Sequence, residues 1–217
     1  MSRKILFKVI TGTEAIGFSN LASFEKVVVY LEELDSILTD DINKIGSGSP
    51  EETRFTTYGF YKALNTGFLG AMEALYGPDH LIEVDGIEFH RLRKYREQFR
   101  TQSYFTNVVL DAQKISAHLD SKYDPKLTPA QKKQLLGNVT QYKFLAMAML
   151  KSAIDVGKNA TLKPLEFPNF KTIKDMETYI EDSIGIVESF KFPEKIDRDL
   201  YFKIVRADYF KLNKHLL

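Results

Sequence analysis

Four of the eight arginines in this 217-residue chain fall within ten residues, in the run His90-Arg91-Leu92-Arg93-Lys94-Tyr95-Arg96-Glu97-Gln98-Phe99-Arg100. Guanidinium is permanently charged, weakly hydrated and shaped to grip a phosphate or carboxylate through two hydrogen bonds at once. With Tyr95 and Phe99 interleaved, the segment has the means to grip a polyanion and stack on a flat group. Read as one helix, Arg93, Arg96 and Arg100 fall within a sector of about 60°. Arg91 and Lys94 point elsewhere. Two outcomes follow from this stripe. It contacts an anionic macromolecule, nucleic acid or an acidic protein surface, or it docks on an acidic helix of the same fold. Residues 24–42 and 175–188 are the acidic helices expected for that second role.

Other chemistries find less support. The chain has no cysteine, which excludes disulfides, thiolate zinc sites and thiol nucleophiles. His80, His90, His118 and His215 stand apart, and no His-x-x-x-His or Glu-x-x-His pair preorganises a metal site. There is no Gly-x-Ser-x-Gly elbow, no phosphate-binding loop and no dinucleotide fingerprint. Pro78-Asp79 ahead of Glu83 and Asp85 faintly suggests a metal-dependent nuclease core, but the lysine that should follow the second acid is missing. No catalytic residue, metal or cofactor is therefore expected.

The elements that must position these residues can be read from pattern. Hydrophobic residues are 44% and charged residues 27%, a globular composition, and the net charge is only +1. A basic surface therefore has to come from local clustering. The longest purely apolar run, Phe144 to Leu150, is far shorter than the roughly 20 residues of a membrane span, and the basic N-terminus lacks a signal-peptide pattern. No membrane association and a cytoplasmic setting are expected.

Lys4 to Ile10 reads as a strand, with Ala15 to Phe18 returning to make an N-terminal hairpin. Asn20 then caps a helix with Phe24, Val27, Val28, Leu31, Leu34, Leu38 and Ile42 inward. Ser49-Pro50-Glu51-Glu52 looks like a helix start. The small residues Ala63, Gly67, Gly70, Ala71 and Ala74 form a strip for close packing. Asp85-Gly86 suggests a second hairpin joining 81–84 to 87–89. A long basic helix follows from His90 to Tyr123. Thr128-Pro129-Ala130-Gln131 opens a helix that is apolar on every side around 144–150 and ends at Gly157. Ile173, Met176, Ile180, Ile184 and Val187 define another helix, and a last one spans about 199–216.

The expected fold is mainly α with minor β: five or six helices around a central apolar helix at about 129–156, with short N-terminal and mid-chain hairpins. One domain, 1–217, is expected, and any internal boundary falls near 46–49 or 123–128. The leading functional expectation is a non-enzymatic binding or assembly protein whose Arg91, Arg93, Lys94, Tyr95, Arg96, Phe99 and Arg100 meet an anionic partner. A helical scaffold or homo-oligomer subunit is the alternative, and a metal-dependent hydrolase the third.

Overall fold

The structure is a computed structural model that describes residues 5–12, 24–30, 43–45, 51–118, 127–164, 166–197, 199–200 and 203–204. The protein is mainly α-helical with a minor β component, and the described residues contain six α-helices. The expected boundary segments 46–49 and most of 123–128 lie outside the described residues, as does most of the helix expected at 199–216.

β1 (Ile5–Gly12) is the strand the N-terminal apolar run called for, and Leu6, Phe7, Val9 and Thr11 on it are buried. The returning strand expected at 15–18 lies outside the described residues, and within them the neighbours of β1 come from farther along the chain. Its antiparallel partner on one side is β2 (Phe24–Tyr30), in the segment whose spacing suggested a helix. The Phe24, Val27, Val28 pattern fits a helical stripe, but Val27, Val28 and Val29 are β-branched in succession, and pairing on both sides favours the strand. β3 (Asn43–Ile45) and β4 (Glu51–Thr56) complete that side, with β4 parallel to β2 and antiparallel to β3. The expected helix start at Ser49-Pro50-Glu51 therefore gives way to a strand at Glu51, where two ladders of backbone hydrogen bonds outweigh a local capping signal. β5 (Ile82–Val84) lies on the other edge against β1, giving the order β3-β4-β2-β1-β5. The Asp85-Gly86 turn does not close a hairpin. Gly86, in extended backbone, is instead the N-cap residue of a helix.

Aromatic side chains join the sheet to the helices. α1 (Thr57–Asn65), α2 (Leu69–Tyr76) and α3 (Ile87–Lys94) pack against it. Phe7 on β1 stacks on Phe89 of α3 at 4.5 Å and meets Phe60 of α1 edge-on at 5.2 Å. Such ring pairs add to what their buried area contributes. At the end of β1, the Gly12 N–H donates to the buried carboxylate of Glu73 on α2 at 2.8 Å.

The small-residue strip is buried as expected, yet it does not lie on one helix. The chain breaks between α1 and α2 at Gly67, whose φ of +74° suits glycine. A Cβ there would sit 2.5 Å from the Tyr104 amide nitrogen, so the contact is protein backbone against protein backbone.

The second layer is helical. α4 (Gln102–Ala117), α5 (Pro129–Gly157) and α6 (Ile173–Ser189) pack together, with α5 between the other two. The Thr128–Gln131 capping box and Pro129 open α5 where the sequence indicated, and a second box, Thr172–Asp175, opens α6. Residues Ala146 to Leu150 and Ser152 to Val156 of α5 are buried, which makes this half of the helix the centre of the core. Lys143 is buried there too, its ammonium 3.0 Å from Glu177 on α6 and 3.3 Å from the Ser116 hydroxyl on α4. No described helix is long and apolar enough to cross a membrane.

Candidate functional site

The basic segment is not one helix. α3 ends at Lys94, Tyr95 (φ −107°, ψ 16°) turns the chain, Arg96–Phe99 form a 3-10 turn, and Arg100 is extended before Thr101 caps α4. Nothing in the sequence marks this break with proline or glycine. It is held by what the side chains bind.

Arg93 fills the carboxyl end of α2. Its Nε donates to the Leu75 carbonyl at 3.3 Å, its Nη2 to the Gly77 carbonyl at 2.7 Å, and its Nη1 to Asp79 Oδ1 at 2.5 Å. Phe89 lies 5.7 Å beneath the guanidinium. Arg100 does the same for α5: Nη1 donates to the Gly157 carbonyl at 2.9 Å, Nε to the Glu97 carbonyl at 2.9 Å, and the group stacks 4.7 Å over Phe192. Arg96 reaches the chain just past α5, donating from Nη2 to the Asn159 carbonyl at 3.3 Å and from Nη1 to the Thr161 hydroxyl at 3.4 Å, and stacks 4.6 Å over Tyr76. Helix C-termini present carbonyls without partners and carry partial negative charge, so cations are favoured there. These bonds end on carbonyls, on Thr161 and on Asp79, not on the acidic face of α6. The other acidic helix expected as a partner is a strand over 24–30.

The remaining sequence-picked residues divide. Phe99 is buried, Arg91 and Tyr95 are half-buried, and Lys94 is exposed with its ammonium 5.7 Å from the Tyr95 ring centroid. The aromatic side chains of the segment are thus spent mainly on the core.

One part of the basic segment does face solvent. Arg93, Lys94 and Arg96, with His90, Asp79, Asp85 and Ile82, line a cleft of about 460 Å³. His90 Nε2 sits 2.9 Å from Asp85 Oδ2. The hydrogen bond from Arg93, and then its charge, hold the Asp79 carboxyl below the usual carboxylate range. Burial pushes the Arg96 guanidinium down, and burial lifts the Tyr76 phenol to about 12 against the opposing charges of Arg100 and Arg96. Arg100 belongs to a different corner, beside Gly157 and Phe192. The cleft residues Asp79, Ile82 and Asp85 carry no sequence signal linking them to the arginines, because only the fold brings the α2–β5 turn to α3. His90 was readable only as a solitary histidine.

Among the described residues no group of three histidine, aspartate or glutamate side chains is placed to hold a metal ion. Comparisons of the chain with protein-family models, with curated proteins and with solved structures find no match.

Proposed function

We propose that the protein is a non-enzymatic binding or assembly protein that receives an acidic segment of a partner protein at the cleft beside α3. The observation that carries this is the pairing of a cationic wall, Arg93 and Arg96, with exposed His90 and Lys94 at one cleft. Ile87, 60% exposed, lies one turn before His90 and Arg91 and two before Lys94, so an apolar contact and cations share one stretch of α3. An acidic segment with one apolar side chain matches that surface.

Nucleic acid fits less well. Binding of bases draws on exposed aromatic faces and on broad positive charge. Here Phe89 and Phe99 are buried and the net charge is +1. The cytosolic setting expected from the sequence is kept as part of this proposal.

The test is titration of a fluorescent Asp/Glu-rich peptide bearing one leucine, beside a single-stranded oligonucleotide, at low and moderate salt. The peptide should bind more tightly than the oligonucleotide, with affinity falling as salt rises. Lys94→Gln, at an exposed position, should weaken the peptide several-fold with little change in melting temperature. A wild-type protein that ignores the peptide at low salt overturns the proposal.

A further inference from the structure

Within the cleft, Arg93 and Asp79 are mismatched. The Arg93 side chain is only 15% exposed, whereas the Asp79 side chain is 88% exposed. Two faces of the guanidinium are committed to the Leu75 and Gly77 carbonyls, and the third, Nη1, points to the cleft and takes a single oxygen of Asp79. A partly desolvated cation is thus closed by a carboxylate that remains in water, on the short 3-10 turn Asp79–Leu81. Breaking that one contact leaves Asp79 fully hydrated and frees a preorganised donor whose other bonds stay in place.

We infer that Asp79 holds the place of a ligand phosphoryl group, and that the cleft accepts a phosphorylated side chain of the partner, which displaces Asp79 from Arg93. This rests on the acidic-segment proposal and sharpens it. His90, Arg93 and Lys94 of α3 and Arg96 of the turn that follows it line the cleft together, with Asp85 paired to His90. Three phosphoryl oxygens with a charge near −2 can use several such donors together, where a planar carboxylate offers two oxygens and one charge. Asp79 already meets Arg93 as a carboxylate would, through one oxygen, so a phosphoryl group has to supply more contacts to replace it. The free protein is then self-shielded: the competing anion is part of the chain, and weak carboxylate ligands are discriminated against.

The experiment compares three versions of one acidic peptide, carrying serine, glutamate or phosphoserine at its centre, on wild type and on Asp79→Ala, with inorganic phosphate as competitor. The expected result is phosphoserine tightest on wild type, by about tenfold over glutamate. Asp79→Ala should raise the affinity of both anionic peptides several-fold and narrow the gap between them. Inorganic phosphate should compete on both proteins, more effectively on Asp79→Ala. Anionic peptides that bind equally to wild type and Asp79→Ala would refute the displacement of Asp79 while leaving the acidic-segment proposal intact. Equal affinity of the glutamate and phosphoserine peptides on wild type would refute phosphoryl selectivity alone. If no peptide binds either protein, both proposals fall. Melting curves of Asp79→Ala, expected to lie close to wild type because Arg93 keeps its bonds to the Leu75 and Gly77 carbonyls, separate these outcomes from misfolding.

Discussion

Arg100 and Gly157 are 57 residues apart in the chain, yet the guanidinium of one closes the carbonyl end of the helix that the other terminates, at 2.9 Å. The same side chain lies flat on Phe192 at 4.7 Å, which itself stacks on Phe105 at 4.7 Å. One residue therefore ties the start of α4, the end of α5 and the chain leaving α6.

Arg100→Ala removes two charge-assisted hydrogen bonds, a cation–ring contact and the packing of the aliphatic stem. The expected loss is about 2–3 kcal/mol in urea unfolding. Arg100→Lys should recover less than half, because an ammonium cannot both lie flat on the ring and reach two carbonyls. A midpoint unchanged in Arg100→Ala would show that the segment 96–100 is held by something else.

Glycines divide sharply by surroundings. Gly67→Ala forces a Cβ against the backbone of Tyr104 at a positive φ and should cost about 3 kcal/mol or more. Gly137 in α5 and Gly185 in α6 have no atom within 4 Å of an added Cβ. Gly137→Ala and Gly185→Ala should each stabilise by about 0.5–1 kcal/mol, since alanine is the better helix former. Denaturation of the three single variants checks both signs.

The buried ammonium of Lys143 sets up a paired comparison. Glu177→Ala takes away the carboxylate 3.0 Å from a nitrogen whose side chain is 2% exposed, and should destabilise by about 2 kcal/mol or more. Lys143→Met keeps the length and removes the charge, and should fall within about 1 kcal/mol of wild type or exceed it. The reverse ranking in thermal melts would mean that the ammonium is hydrated.

Alkaline pH should unfold the protein through its tyrosines. Tyr76 is lifted to about 12 by burial, and Tyr104 is fully buried and lifted well above its ordinary 10. The folded state keeps protons that the unfolded chain releases, so this contribution is intact below pH 10 and is lost as pH rises toward about 12. Phenolate absorbance of these two residues should appear together with unfolding. The Tyr104 hydroxyl has no hydrogen-bond partner among the described residues. Tyr104→Phe should accordingly be neutral or stabilising, by up to about 1 kcal/mol, and should soften the alkaline transition.

Legibility in the sequence tracked the range of the interactions. α5 was readable to within a residue at each end, because Thr128, Pro129, Gln131 and Gly157 act within one turn of where they stand. α6 and β1 were readable from their apolar spacing. β2 was not: Phe24, Val27 and Val28 satisfy a helical stripe, and the parallel partner that makes them a strand begins at Glu51. The arginine cluster was visible as composition, but its geometry was not. The stripe assumed an uninterrupted helix, and the turn at Tyr95 is held by carbonyls of Leu75, Gly77, Gly157 and Asn159, which no local pattern connects to it.

The pairing of β1 with β5 joins Val9 to Ile82 across 73 residues, while α4, α5 and α6 meet chain neighbours. Closing a long loop before any contact rewards it is slow, whereas helical hairpins assemble from nearby segments. The range of these contacts predicts that the helical layer forms before β5 completes the sheet, an order that pulsed hydrogen exchange would read as earlier protection of α4–α6 than of β5. Until Ile82–Val84 docks, one side of β1 is an open ladder of amides and carbonyls, the state in which a chain is most prone to pair with its neighbours in solution. On that order, docking of the three-residue edge strand β5 is the step that closes the exposed side of β1.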